Sequence, residues 1–187
     1  MMLPELRTAR LVLRSFHDRD AGPFAAINAD PRVMEFMPAV LTRAESDALI
    51  MRIARHAEEK GYGLFAVELQ GGPLIGFAGL STPTFEARFM PCVEVGWRLA
   101  AEHWGHGYAS EAARAALVFG FEKVGLSQIV SFTVPQNQRS RRVMEKIGMR
   151  HDPRDDFDHP RLPAGHALRR HVLYRLDRDE FAAVKPR

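Results

Sequence analysis

Between Glu94 and Glu111 the chain reads EVGWRLAAEHWGHGYASE, and Gly105-His106-Gly107 stands immediately before a run with helical spacing. Glycine adopts positive φ without a Cβ penalty, so such a loop turns tightly and aims successive backbone N–H groups inward. At a helix start those donors meet the positive end of the helix dipole, and a phosphate or pyrophosphate is the anion this geometry holds. The Ser110 hydroxyl, in the first turn, adds a donor. The pattern is not the dinucleotide fingerprint, because position 110 is serine rather than a third glycine. It is not a P-loop either, because no Gly-Lys-Ser/Thr follows. Alone, the two glycines fit an anion site or a plain strand-to-helix turn, and the residues leave both open.

Other reactive side chains are less well supported. His103 and His106 are three apart, as helical metal ligands can be, but no cysteine or carboxylate completes the set, so no metal is expected. The segment from His151 to His159 is rich in aspartate yet lacks the register of a calcium loop. Its acidity suits either a lid over a cationic ligand or a solvated loop. Cys92 has no evident base beside it and reads as a core thiol at a strand start.

The elements that must position these residues are legible from periodicity. Leu11, Leu13 and Phe16 alternate with polar residues as a first strand, and a short helix is expected from Asp18 toward Asn28, then a helical turn from Pro31 to Pro38. Thr42 with Glu45 forms a capping box, and Leu49, Ile50, Ile53, Ala54 and Ala57 continue a helix that Gly61 stops. Strands are predicted at 62–69 and 74–80 around Gly71-Gly72-Pro73, then at 92–99, where Glu94, Gly96 and Arg98 share one face and Val93, Val95, Trp97 and Leu99 the other. A helix to about Val124 carries a small-residue stripe (Ala109, Ala112, Ala113, Ala116, Gly120) suited to packing on a sheet. A strand at 128–134, a helix at 138–147 and a strand at 168–176 follow, with 150–167 read as a Pro- and Asp-rich loop. The fold class is α/β on one mixed sheet.

Composition sets the boundaries. The 187 residues, 46% hydrophobic and 26% charged, suit one globular domain that needs no disulfide or metal to fold. One cysteine excludes a disulfide framework and fits a reducing, cytoplasmic setting. No apolar run is long enough to span a membrane, and the start, MMLPELRTAR, lacks an apolar signal core. All but four of the 26 basic residues are arginine, but both signs are interspersed and the net charge is only +3, so no nucleic-acid face is expected.

Two segments carry a family resemblance. Trp104-Gly105-His106-Gly107-Tyr108-Ala109-Ser110-Glu111-Ala112 resembles the acyl-CoA-binding motif of the GCN5-related N-acetyltransferases, in which Q/R-x-x-G-x-G/A opens the central helix. Trp104 stands where glutamine or arginine is common, a form similar to the branch of ribosomal-protein N-terminal acetyltransferases. Asn137 through Met149 (NQRSRRVMEKIGM) resembles the family's second segment, N-x-x-S/A-x-x-x-x-E-K-x-G-F, and also reads as an Asn-capped amphipathic helix with Gly148 after its end. The resemblance spans about residues 6–176 and implies one N-acetyltransferase domain over 1–187, with a mostly antiparallel sheet, flanking helices and a splayed central strand pair.

That resemblance implies the following. Acetyl-CoA donates to a primary amine (a protein N-terminus or a small amine) by direct attack in a ternary complex, with no metal. Trp97, Arg98 and Leu99 offer main chain to the pantetheine arm; Gly105, His106, Gly107, Tyr108, Ala109 and Ser110 hold the pyrophosphate; Asn137 touches the pantetheine. Glu94 is the expected base, with Arg98 its expected ion-pair partner, which would lower the Glu94 pKa. Many members carry a tyrosine acid where this chain has Met144; Ser140, Tyr108 and Tyr174 are the remaining donors. A CoA-binding regulatory module with little turnover is the rival from another class, and antibiotic or polyamine acetylation the rival within it. Relatives often dimerise, which leaves a homodimer open.

Overall fold

The computed structural model describes residues 3–184. A single strand path runs β1 (Leu6–Arg7), β2 (Leu11–Arg14), β3 (Leu64–Leu69), β4 (Leu74–Ser81), β5 (Glu94–Leu99), β6 (Gln128–Thr133), then β9 (Arg170–Asp177) and β7 (Arg150–His151), with β8 (Phe157–Asp158) also on β9. Every pairing is antiparallel except β5 with β6. The helices are α1 (Ala21–Ala29), α2 (Arg43–Lys60), α3 (Tyr108–Val118), α4 (Gln138–Lys146) and α5 (Arg178–Val184). The mixed, mostly antiparallel sheet flanked by helices is the expected architecture.

Local chemistry accounts for the element ends. The Thr42 hydroxyl accepts from the Glu45 N–H at 3.2 Å while the Glu45 carboxylate accepts from the Thr42 N–H at 2.8 Å, closing the capping box that starts α2. α3 continues beyond Val118 as a π-helical turn, Phe119–Val124. Its stripe of Ala112, Ala113, Ala116 and Leu117 is fully buried in the main core with Val95, Leu99, Ile75 and Leu80. On the other face of the sheet, Phe24 of α1 meets Phe77 of β4 edge to face at 6.0 Å.

The feature that matters for function lies between β5 and β6. β4 and β5 pair along the whole of β5, from Ser81↔Glu94 to Gly76↔Leu99. β5 and β6 share only Glu94↔Val130, with the Val130 N–H donating to the Val93 carbonyl at 2.9 Å. Beyond that bridge the two strands part, as expected of a splayed central pair.

Three expectations are corrected. The strand expected from Leu11 is β2, preceded by β1, and it ends at Arg14, short of Phe16; all four of its residues are buried, Arg14 because its guanidinium pairs with Asp20 at 2.6 Å and Glu68 at 2.5 Å. The helical turn expected from Pro31 to Pro38 is confined to turns over 31–36, where the Met34 N–H donates to the Asp30 carbonyl at 3.0 Å. The segment 150–167 is not plain loop: β7 and β8 lie in series on β9, with Arg150 opposite Arg175 and Phe157 opposite His171. β9 is eight residues long, so its second edge holds both two-residue strands.

Candidate active site

The splay opens into a cleft of about 370 Å³. β5 supplies Glu94, Gly96, Trp97, Arg98 and Leu99; the α3 entry supplies Trp104, Gly105 and Gly107 to Ser110; β6 and α4 supply Ser131, Thr133, Asn137, Ser140 and Met144. Of the residues expected at a site, His106 and Tyr174 do not line it. The His106 ring stacks on Tyr108 at 5.5 Å and its carbonyl accepts from Arg10 Nη1 at 2.9 Å.

The main chain of β5 is only half used. The Ala100 N–H donates to the Ile75 carbonyl at 2.9 Å, so even-numbered residues of β5 face β4 and odd-numbered ones face β6. Trp97 and Leu99 therefore turn their amides and carbonyls toward a strand that has moved away, whereas Arg98 spends its own on β4. Trp104 takes one of these groups: its indole Nε1–H donates to the Leu99 carbonyl at 2.9 Å.

The glycine loop has the backbone that an anion cradle needs. Gly105 and Gly107 sit at φ 79° and 81°, conformations that would cost a residue with a Cβ about 1–2 kcal/mol. Gly107 is the N-cap residue of α3 and offers no side-chain cap, so the first-turn N–H groups of α3 are left open toward the cleft. Glu111 anchors the loop from behind, accepting from the Thr8 hydroxyl at 2.6 Å, the Arg10 N–H at 3.0 Å and Arg10 Nε at 2.7 Å. The Arg10 guanidinium also lies 4.6 Å from the centre of the Tyr108 ring.

On α4, Asn137 caps the helix, accepting from the Ser140 N–H at 3.1 Å and donating to Thr133 Oγ1 at 3.0 Å. The Ser140 hydroxyl faces the cleft with no protein partner among the described residues. Met144 is buried in the core. Tyr174, one of the possible proton donors, is corrected: it is buried, it donates to Glu145 at 3.1 Å, and it does not line the cleft.

Glu94 and Arg98 behave unlike the expected ion pair. Arg98 Nη1 donates to Asn28 Oδ1 at 2.7 Å, and among the described residues the Glu94 carboxylate accepts only from the Ser81 hydroxyl, at 3.5 Å. Glu94 is partly buried and lines the cleft. Burial pushes its carboxyl up to about 8, which the Ser81 hydrogen bond only partly offsets. Burial likewise lowers Arg98 to about 10. Cys92, at the entry to β5, is half-buried; burial and the neighbouring Glu94 push its thiol up to about 11, which leaves it protonated and unreactive near neutral pH.

The family model for the acetyltransferase (GNAT) domain matches residues 10–150. The chain belongs to the GNAT acetyltransferases. GNAT membership makes it an acyl-CoA-dependent acetyltransferase by family. Among curated relatives, the uncharacterized protein YkkB of Bacillus subtilis is 35% identical over 149 residues, 78% of this chain and 84% of that one. The uncharacterized N-acetyltransferase YnaD of the same organism is 29% identical across 94% and 98% of the two chains. The FsC-acetyl coenzyme A-N(2)-transacetylase of Aspergillus fumigatus is 30% identical over 79% of this chain and 66% of its own. Among solved structures, an acetyltransferase from Agrobacterium tumefaciens superposes with a TM-score of 0.75 at 29% identity, covering 94% and 95% of the two chains. RimJ of Mycobacterium smegmatis, solved with CoA-disulfide, shares the fold (TM-score 0.73, 20% identity, 98% and 94% coverage).

Several lining residues of this GNAT cleft escaped sequence reasoning. Val33, Phe36 and Met37 come from the turns after α1, and Arg139 from α4 bridges to them, pairing with Glu35 at 2.6 Å and lying over the Trp104 ring at 4.4 Å. Asn28, which holds Arg98, is completely buried. An asparagine at the end of an apolar helix was the available signal for it; nothing local marked the turn residues.

Proposed function

We propose that the protein transfers the acetyl group of acetyl-CoA to a primary amine, with Glu94 removing the proton. The carrying observation is the coincidence in one cleft of the Trp97 main chain and Leu99 N–H left without a neighbouring strand, the Gly105–Ser110 loop and the Glu94 carboxyl. The name of the Aspergillus relative, a transacetylase from acetyl coenzyme A to an N(2) position, supports the same donor and an amine acceptor.

The donor set present suits the donor's chemistry. The Gly105, Gly107, Tyr108, Ala109 and Ser110 amides, at the positive end of α3, would hold the pyrophosphate, and Trp97 and Leu99 would pair with the amide-rich pantetheine arm in place of a neighbouring strand. Asn137, Arg139, Arg142 and Lys146 line the same cleft from α4. When bound, acetyl-CoA supplies an activated acyl carbon. An unpaired N–H at Trp97 polarises its carbonyl and favours negative charge on the oxygen. Glu94 takes the ammonium proton on a carboxylate oxygen. A carboxyl at about 8 is matched to an α-amine, which titrates near 7.7–8.0, better than to a lysine near 10.4. The Ser140 hydroxyl relays to the leaving thiolate the second proton, which the nitrogen gives up as the C–N bond forms and the C–S bond breaks. The acceptor class that follows is a protein N-terminus or a small amine of similar pKa.

Thiol release from acetyl-CoA, measured with and without a panel of amines and N-terminal peptides, tests this reading. Amine-dependent release is expected. The buried Met144, in place of a tyrosine donor, favours one second reading, a CoA-binding module without turnover. Binding of acetyl-CoA with no amine-dependent release would select it, and no binding would defeat both.

A further inference from the structure

Among the described residues, no carboxylate forms an ion pair with Arg98. Its Nη1 N–H is spent on Asn28 Oδ1 at 2.7 Å, and Asn28, completely buried, donates in turn to the buried Ser46 hydroxyl at 2.8 Å. The Phe77 ring lies 5.3 Å below the guanidinium. These contacts hold the arm in one place, yet they use one of the five N–H donors a guanidinium has. Every fully buried side-chain nitrogen and oxygen among the described residues has a partner, so the remaining Arg98 nitrogens have access to the cleft. Burial lowers its pKa to about 10. A cation kept in a desolvated place without a counter-ion is costly, and it is stabilised by an anion that arrives with a ligand.

Its position says which ligand. Arg98 and Glu94 share the face of β5 that looks toward α1, whereas α3 and its glycine loop pack on the Val95 and Leu99 face. Between them stands Gly96, where an added Cβ would meet only Glu94 Oε1, at 3.9 Å. The floor from the candidate base to the guanidinium is therefore bare backbone, about 13 Å between Cα atoms for four strand residues and shortened by both side-chain arms.

We infer that Arg98 binds a carboxylate carried by the amine acceptor, so that the acceptor class is an amine with a carboxylate at its other end. A planar, forked guanidinium pairs with a carboxylate through two parallel hydrogen bonds, which fixes orientation as well as affinity. A free amino acid and a peptide N-terminus followed by an acidic residue offer the same pair of groups. The inference rests on the acetyltransferase reading of the cleft.

The test compares acceptors that differ only in that anion: amino acids and ω-amino carboxylates against their carboxamides, and Ala-Asp and Ala-Glu peptides against Ala-Asn and Ala-Gln. Wild type is expected to favour the carboxylate by about tenfold or more in kcat/KM, the scale of a charge-assisted hydrogen bond. In Arg98→Met that ratio collapses toward one, and Asn28→Ala, which releases the arm, lowers it partway. Amino acids and peptides scored separately identify the source of the carboxylate. A wild type without carboxylate preference, or an Arg98→Met enzyme that keeps the ratio and loses only acetyl-CoA affinity, overturns the inference; the latter result assigns Arg98 to a donor phosphate. The same pairs titrated calorimetrically in the presence of CoA read the preference without turnover. A protein that prefers carboxylates there but acetylates nothing would refute the acetyl-transfer reading and leave the Arg98 assignment standing.

Discussion

Glu94 and Arg98 stand on the same face of β5, four residues apart, and do not pair: Arg98 donates to Asn28 at 2.7 Å, and Glu94 accepts from the Ser81 hydroxyl at 3.5 Å. A close ion pair would have held the carboxyl ionised and weakly basic. Apart, each keeps an unspent capacity, Glu94 for a proton and Arg98 for an anion. The cost falls on the stability of the fold, and it depends on pH.

Glu94→Gln tests that cost. An exposed glutamate titrates near 4.5, whereas Glu94 is raised to about 8 in the folded chain. Between those values the folded state binds more protons than the unfolded one, so wild-type stability falls as pH rises from 4.5 to 8. Glutamine has no such dependence. Denaturant unfolding should show Glu94→Gln gaining on wild type as pH rises from 5 to 8, by on the order of a few kcal/mol. A constant difference across that range would mean that Glu94 is not raised.

Gly107→Ala should cost about 1–2 kcal/mol of stability, because alanine at φ 81° is strained although its Cβ would find ordinary space beside Arg10 at 3.5 Å. Relaxation of that strain turns the loop amides away from the cleft, so KM for acetyl-CoA should rise more than kcat falls. An unchanged acetyl-CoA KM would remove this loop from donor binding.

Glu111→Ala leaves the Thr8 hydroxyl and the Arg10 N–H and guanidinium without their common acceptor, and a loss of about 1–3 kcal/mol is expected. Burial acts to raise this carboxyl, but the Thr8 and Arg10 hydrogen bonds hold it below the usual range. Its contribution is therefore present above the exposed value and is lost as pH falls through the lower folded value. Thermal melts from pH 7 down to 3 should show the two proteins converging at the acid end; parallel curves would contradict the assignment.

Ser140→Ala and Tyr174→Phe separate two candidate proton donors. Ser140 faces the cleft, so its removal should lower kcat by about tenfold, within the range for general acid catalysis. Tyr174 is buried against Glu145 and Arg141, so its loss should cost about 1 kcal/mol of stability and leave kcat alone. The reverse pattern of kcat effects would assign the proton to Tyr174.

What could be read in advance follows the range of the interactions. The Gly105 and Gly107 turn, the Thr42–Glu45 cap and the Asn137 cap are dictated by a few adjacent residues, and each formed where its residues stand. The stripe from Ala112 to Leu117 announced a helix packed on a sheet, and that packing fixes α3 over β5. The splay itself came from resemblance, because no single strand carries a signal for the loss of a neighbour. Arg98 was misjudged for a related reason: strand periodicity pointed to Glu94 on its own face, while its partner Asn28 lies 70 residues away on α1. The strands β7 and β8, two residues each, are too short to show alternation and exist only because β9 offers an edge.

The central claim is that Glu94, unpaired and partly buried beside the open main chain of Trp97, removes the proton that allows acetyl transfer. The most direct measurement is the pH profile of kcat/KM with an acceptor whose own ammonium titrates well above 8, so that the amine arrives protonated across the range and only the enzyme's base titrates. Wild type should rise to a plateau through an apparent pKa near 8, and Glu94→Gln should lose that rise, with its greatest deficit above pH 8, where the wild-type carboxyl is ionised. Superimposable profiles for the two proteins would contradict the account.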